Sequence, residues 1–291
     1  MKHKRKLLTM LMAIFLTLSL YACSDDSALE PSLPNGEQIT PLPDETPEQA
    51  PEQNPPEQTP EQDAQQPAPE QTPTPKPQES KTQSYIRCVG DNVNLRSGAG
   101  TSYTVLGQAE KGTMYAVIER TGNWYKVKYQ NKTAYLYSEY ATMFSIKKSE
   151  NAKVENVINE AYNLIGIPYV YGAVRLHDGK GNLLKGFSMN KFDCSSLVQF
   201  SFYEGAKVLL DVTTRTQVVQ GQYVPKSQLS RGDCIYFTNE SRQYKTGIER
   251  VGHVAIYLGD DYILHTASDY ARIEKMTASR WKFYIETRRF V

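Results

Sequence analysis

Residues 24–83 hold 14 of the chain's 16 prolines and not one Phe, Trp or Tyr. A stretch so poor in apolar side chains cannot bury enough surface to offset the entropy of ordering its backbone. Pro-Glu-Gln recurs in it at 47–49, 51–53, 56–58, 60–62 and 69–71, intervals far too short for a solenoid unit. Each proline fixes φ and removes a donor, so the segment is expected to be extended and partly polyproline-II. At about 3.1 Å per residue its 60 residues reach at most about 190 Å. It carries 13 acidic residues against two lysines, a net of −11. That charge suits a spacer held off an anionic surface; a proline-rich docking ligand is the other reading. Folding is left to residues 84–291, which carry 27 basic and 19 acidic residues, a net of +8 hidden inside an overall +1. That length suits about two small domains and excludes one large domain over the whole chain.

The N-terminus has the pattern of an export signal. Lys2, Lys4, Arg5 and Lys6 precede an uncharged, mostly apolar run from Leu7 to Leu20. The run is short for a bilayer span of about 20 residues, and no second long apolar run follows, which excludes a multi-span membrane protein. Leu20-Tyr21-Ala22-Cys23 resembles a bacterial lipobox. The resemblance implies removal of residues 1–22, a lipid on Cys23, and an extracytoplasmic, membrane-anchored lipoprotein. An uncleaved anchor over residues 7–23 is the alternative, and either way the rest of the chain is exported and tethered. Acyl chains would hold it through about 0.8 kcal/mol per buried CH2.

Residues 84–145 read as short strands. Val93-Asn94-Leu95-Arg96, Trp124 to Tyr129 and Thr133 to Tyr137 alternate between apolar and polar residues, with Gly/Asn/Ser turns between them. This spacing predicts a small all-β barrel. Asn92 to Gly98 followed by Gly122-Asn123-Trp124-Tyr125-Lys126-Val127 resembles a bacterial SH3 domain. The resemblance implies a wall- or peptide-binding module, or a wall of a neighbouring cleft. Tyr103, Tyr125, Tyr129, Tyr135, Tyr137 and Tyr140 are divided between cross-strand packing and an exposed binding surface.

Residues 150–291 carry the chemistry. Val154, Val157, Ile158, Ala161, Tyr162 and Ile165 recur at helical spacing, which predicts a helix over 151–165 that Gly166 and Pro168 end. Asp193 is a good N-cap for a second helix, so Cys194 falls in its first turn, where the helix dipole favours a thiolate. A buried structural cysteine is the competing reading of Cys194. His253 and His265 lie on two runs that read as a hairpin around Asp260-Asp261. A three-residue loop at 259–261 puts both histidines on one face; a two-residue loop puts them on opposite faces. On one face beside the cysteine, they would supply a base and a group that orients it.

Pro-Tyr-x-Tyr-Gly at 168–172, Phe192-Asp193-Cys194-Ser195, Arg231-Gly232-Asp233, the run Gly252-His253-Val254-x-Ile256-Tyr257-Leu258-Gly259 and Leu264-His265 together resemble the NlpC-type cell-wall cysteine peptidases. The resemblance implies an α+β fold: a papain-like NlpC-type peptidase domain, its cysteine helix packed on an antiparallel sheet, preceded by the small all-β SH3-like barrel. It implies cleavage of peptidoglycan stem peptides, at the bond from γ-D-glutamate to a diamino acid. Carried over, Cys194 is the nucleophile, His253 the base, His265 the orienting residue, and Tyr169 an oxyanion donor or a packing ring. Asp193 and Ser195 match positions that meet a substrate amine, and Asp193 is also the N-cap. Arg215 matches a cleft-lining stretch or is a solvated arginine. Ser196 stands where Gly is usual, and Cys234, where Leu is usual, reads as core. The connection from Ala173 to Lys191 is longer than usual, with a hairpin tip near Lys180. It is expected to border the cleft and restrict which stems enter, with His177 a plain loop histidine.

No Cys or His spacing suggests a metal site, and no phosphate loop or basic stripe suggests a cofactor or nucleic acid. The expected partners are stem peptides or muropeptides and the membrane, with the protein a monomer. Cys88 and Cys234 are free to pair or to stay reduced. A non-hydrolytic wall-binding tether, or an amidase or acyltransferase on the same Cys/His pair, are the alternatives to hydrolysis.

Overall fold

The alternating runs form strands with their apolar residues inward. The computed structural model describes residues 81–291; the leader, Cys23 and the proline-rich spacer lie outside the described residues. Seven strands come first: β1 (Thr82–Cys88), β2 (Val93–Arg96), β3 (Val105–Ala109), β4 (Met114–Thr121), β5 (Trp124–Tyr129), β6 (Lys132–Tyr137) and β7 (Ala141–Lys147). They pair antiparallel in the order β3-β2-β6-β5-β4-β1-β7. Tyr125 and Val127 on β5, and Ala134 and Leu136 on β6, are buried, as alternation requires. Gln130 and Asn131 make the β5–β6 tip, both at positive φ, the conformation that two-residue hairpins favour.

The second half starts with α1 (Ala152–Asn163), capped by the Asn151 side chain on the Lys153 N–H. Its buried face is Val154, Val157, Ile158, Ala161 and Tyr162, the periodic residues of the sequence. Then come α2 (Cys194–Ala206), α3 (Thr214–Gln217), β8 (Gln222–Val224), β9 (Cys234–Phe237), β10 (His253–Gly259), β11 (Tyr262–Ala267), β12 (Tyr270–Lys275), α4 (Ala278–Trp281) and β13 (Tyr284–Arg289). The six strands form one antiparallel sheet ordered β12-β11-β10-β9-β13-β8. Val254, Ile256, Leu258 and Leu264 join the core that holds α1 and α2; Ala255 and Ile263 point to a smaller cluster with Phe237 and Met276. Helices α1 and α2 touch at Gly205, where a Cβ would come 2.4 Å from the Val157 backbone nitrogen. Only glycine allows that approach.

The two halves share one apolar core. The tip of β5–β6 donates Gln130 N–H to Ile165 O (2.8 Å) and Asn131 N–H to Asn163 O (2.7 Å). Arg231, of the Arg-Gly-Asp stretch, is buried at the junction. It pairs twice with Glu155 of α1 (2.7 and 3.0 Å) and donates to Leu258 O, Tyr162 Oη and Tyr85 Oη of β1. Asp233 receives Arg289 through two bonds (2.7 and 2.8 Å). The stretch is therefore structural. Cys88 and Cys234 are buried and free, so the pairing considered for them is absent.

Removing one partner of a buried ion pair strands the other charge, at about 3–5 kcal/mol. Glu155→Ala should lose about that much stability in urea unfolding, with both halves weakened together. A loss under about 1 kcal/mol would show that Arg231 does not hold the junction.

Candidate active site

Cys194 opens α2, as the N-cap reading of Asp193 requires. The Asp193 Oδ1 accepts from the Ser196 N–H (2.8 Å), and Ser196 Oγ accepts from the Asp193 N–H (2.9 Å). Ser196, at the position where the family pattern has Gly, thus closes a reciprocal capping box. The remaining valences of Asp193 are also filled: the Gly172 N–H (3.2 Å), Ser195 Oγ (3.0 Å) and the Arg175 guanidinium (2.9 Å). Arg175 further donates to Ser195 Oγ, Ala173 O and Val212 O. Asp193 and Ser195 are buried, and both are engaged inside the protein.

The electrostatics of the cysteine differ from the expectation for a helix start. Burial, and after it the Asp193 carboxylate, push the Cys194 thiol up to about 12. The N–H groups of Val254 and Ser195, and Arg175, pull the other way without prevailing. A sequence window shows the cap but not the desolvation, which is tertiary. Cys194 is therefore a thiol at rest and needs a base.

The candidate base, His253, opens β10. The tip of β10–β11 is the two residues Asp260-Asp261, with the ladder shifted between Tyr257 and Gly259 so that Leu258 is an extra residue. Below this bulge Tyr257 pairs with Ile263 and Ile256 with Leu264. A two-residue tip plus one bulge residue restores the parity that a three-residue loop would give. His253 and His265 share a face, with His253 Nε2 3.0 Å from His265 Nδ1. Burial, and then His265 and Arg280, hold His253 well below the usual 6.5. Burial likewise lowers His265, against an opposing pull from Glu274.

Sequence reasoning missed what lies behind His265. His265 Nε2 meets Glu274 Oε2 at 2.9 Å, and both Glu274 oxygens accept from Arg280 Nη2 at 2.8 Å. Glu274 pairs across the ladder with Ile263, two residues from His265, so the contact is a cross-strand diagonal. Burial acts to raise Glu274, but the bonds from His265 and Arg280 outweigh it and hold the carboxyl at about 2. The alternation Tyr270-Ala271-Arg272-Ile273-Glu274 was the available signal.

The other predicted residues are dispersed around this centre. Tyr169 is half-buried; its N–H donates to Asp269 O (2.8 Å), and its backbone bridges to Phe192, two residues before Cys194. Arg215 on α3 pairs with Glu249 at 3.7 Å. Helix α3 is tied to α2 by Gln217 Nε2 on Ser195 O (3.1 Å). The 173–191 connection has its tip at Asp178 to Asn182, where Asp178 accepts from Lys180 and Asn182. His177 is not a plain loop histidine: it is fully buried against Tyr203, with ring centroids 4.9 Å apart. Among the described residues no group of three or more His, Cys, Asp or Glu is placed to hold a metal.

A helix-borne cysteine beside two sheet histidines on an antiparallel sheet defines a papain-like thiol site. Residues 166–289 match the model of the NlpC/P60 family, and residues 91–142 match that of the bacterial SH3 domain. The chain carries an NlpC/P60 domain behind a bacterial SH3 domain. It is 32% identical over 127 residues to the gamma-DL-glutamyl hydrolase of Bacillus subtilis, covering 43% of this chain and 26% of that one. It is 30% identical over 141 residues to the peptidoglycan DL-endopeptidase CwlO of Bacillus licheniformis, covering 47% and 28%. To the peptidoglycan endopeptidase RipB of Mycobacterium tuberculosis it is 30% identical over 120 residues, covering 41% and 46%. The matches thus span under half the length of each relative.

Two histidines held neutral, His265 buried and His253 half-buried, make stability depend on pH. Each has a folded pKa below its unfolded 6.5, so the unfolded chain binds more protons as pH falls. Stability should be full above 6.5 and decline below it, by up to about 1.4 kcal/mol per pH unit per histidine. Urea unfolding at pH 7.5 and 5.5 should show this decline, and His253→Asn should reduce it. An equal decline in the variant would refute the burial of a neutral His253.

Proposed function

We propose that the chain is a cell-wall cysteine endopeptidase that hydrolyses peptidoglycan stem peptides. The observation that carries the reading is the His253–His265 contact at 3.0 Å, with the backbone of Val254, the residue after His253, hydrogen-bonded to Cys194. The reaction starts with transfer of the Cys194 proton to His253 and attack of sulfur on the scissile carbonyl. The carbonyl oxygen becomes an oxyanion, for which Tyr169 and backbone N–H groups near the start of α2 are the candidate donors. Collapse expels the amine, which takes the proton back from His253, and leaves a thioester on Cys194. Water, deprotonated by His253, attacks the thioester; collapse breaks the C–S bond, releases the acid, and the proton on His253 returns to sulfur.

The bond proposed is the one between γ-D-glutamate and the diamino acid, a reading supported by the names of the Bacillus relatives. The alternative use of the same chemistry, an amidase or acyltransferase, differs only in the acyl group delivered or the acceptor. Asp193 and Ser195 would meet a substrate amine only if Arg175 moved aside; their role here is to position α2 and the nucleophile. Arg215 at the edge of α3 remains the candidate for contact with the stem. The tether reading has its own support: a groove of about 670 Å³ on the SH3 domain, lined by Trp124, Tyr137, Tyr140, Asn92, Asn94 and Arg96 among others. Such rings beside amides and a guanidinium suit wall fragments, so binding there would accompany hydrolysis rather than replace it. The lipid on Cys23 and the spacer would hold the enzyme outside the cytoplasm, at the membrane.

Defined muropeptides incubated with the full chain and with Cys194→Ala test this by mass spectrometry. The wild type should release a fragment pair cut after γ-D-glutamate, and Cys194→Ala should lose at least about 1000-fold in rate. Binding of wall fragments without cleavage by either would leave the tether in its place.

A further inference from the structure

We propose that Glu274, held by Arg280, is a positioning residue: it fixes the protons of both histidines so that His253 presents a bare Nδ1 to Cys194. With both histidines neutral, the chain of contacts allows one assignment. Glu274 is ionised and can only accept, so the 2.9 Å contact requires a proton on His265 Nε2. A neutral His265 has one ring proton, so its Nδ1 is a lone pair. The 3.0 Å contact then requires the proton on His253 Nε2. Neutral His253 in turn has its lone pair on Nδ1, the nitrogen that would take the proton in the proposed reaction. The reverse order would set the His265 Nε2 lone pair against a carboxylate with no proton between them.

Arg280 makes the device rigid. Its Nη2 lies 2.8 Å from each Glu274 oxygen, and its N–H is held by the Thr277 side chain at the start of α4. Without it the Glu274 side chain, about one-third exposed, would be free to turn to water. The charged and titratable neighbours of His265 are His253, Glu274, Arg280 and Arg272, and those of His253 are His265, Arg280 and Glu274.

The proton balance is local. When Cys194 reacts, its S–H bond breaks, the electron pair stays on sulfur, and the proton forms N–H at His253 Nδ1. The positive charge stays on the His253 imidazolium. Glu274 remains a carboxylate and takes up no proton; its charge lies two bonds of the chain away and favours the imidazolium. The role is one of orientation and of field, not of proton relay.

The test uses the full chain with 15N-labelled histidine, and its first two readouts do not need a substrate. In the wild type both imidazoles should show the Nε2–H form at pH 7.5. In Glu274→Ala that preference should be lost, and alkylation of Cys194 by iodoacetamide, followed by peptide mass mapping, should slow about 10- to 100-fold. Glu274→Gln, whose amide oxygen can still accept, should recover part of both. The third readout rests on the hydrolase reading: kcat on muropeptides should fall with KM little changed. A wild type that fails to cleave would sink that reading and leave the first two results standing. Nδ1–H on wild-type His253 overturns the proposal whether or not the variants fold. So does Glu274→Ala with unchanged tautomers and an alkylation rate within twofold of wild type.

Discussion

Leu258 bulges from the ladder between β10 and β11, and that one residue sets the parity of the pair. Side chains alternate along a strand, so a slip of one would send His265 to the opposite face from His253. With the bulge in place, His253, His265 and Glu274 share a face, and contacts of 3.0 and 2.9 Å join them. Leu258 is itself fully buried, and its carbonyl accepts from Arg231 at 2.7 Å. The residue that sets the register of the histidine pair is thus bonded to the arginine that joins the two domains. The SH3 domain reaches the site through this link: Tyr85 of β1 is another acceptor of the same guanidinium.

Cysteine and histidine are matched by shared desolvation. The thiol is pushed up and the imidazoles are pushed down, and both directions favour the uncharged pair. An uncharged pair costs less to hold in an apolar site than a thiolate and imidazolium, each of which would need its own partners. In the proposed reaction charge would develop only as sulfur attacks, where the N–H groups of Val254 and Ser195 already face it. The buried Asp193 carboxylate beside the nucleophile would oppose that step, and Arg175 at 2.9 Å offsets it.

What was legible in the sequence was local or periodic. Alternation gave the strands around Trp124 and Thr133, and helical spacing gave α1 to within two residues at its end. Asp193 showed where α2 starts, because an N-cap is a matter of neighbouring residues. The histidine pair was legible only as a condition on loop length, since the bulge at Leu258 has no signature in composition. Glu274 and Arg280 escaped because each contact needs an element that sequence reasoning had not placed: β12 for the diagonal, and a four-residue α4 for the clamp. Arg175 and His177 escaped for a related reason. They sit in a connection whose turn chemistry was visible at Asp178 to Asn182 but whose packing onto Tyr203 and Asp193 is tertiary.

The central claim is that Cys194 and His253 both rest uncharged, with the proposed base made ready by orientation rather than by a preformed ion pair. Thiolate absorbance near 240 nm reads this directly when wild type and Cys194→Ala are subtracted, because the other cysteines and the tyrosines cancel. At pH 7.5 the difference should be flat, and a thiolate signal should emerge only on strong alkalinisation. One full thiolate in the difference spectrum at neutral pH would contradict the account.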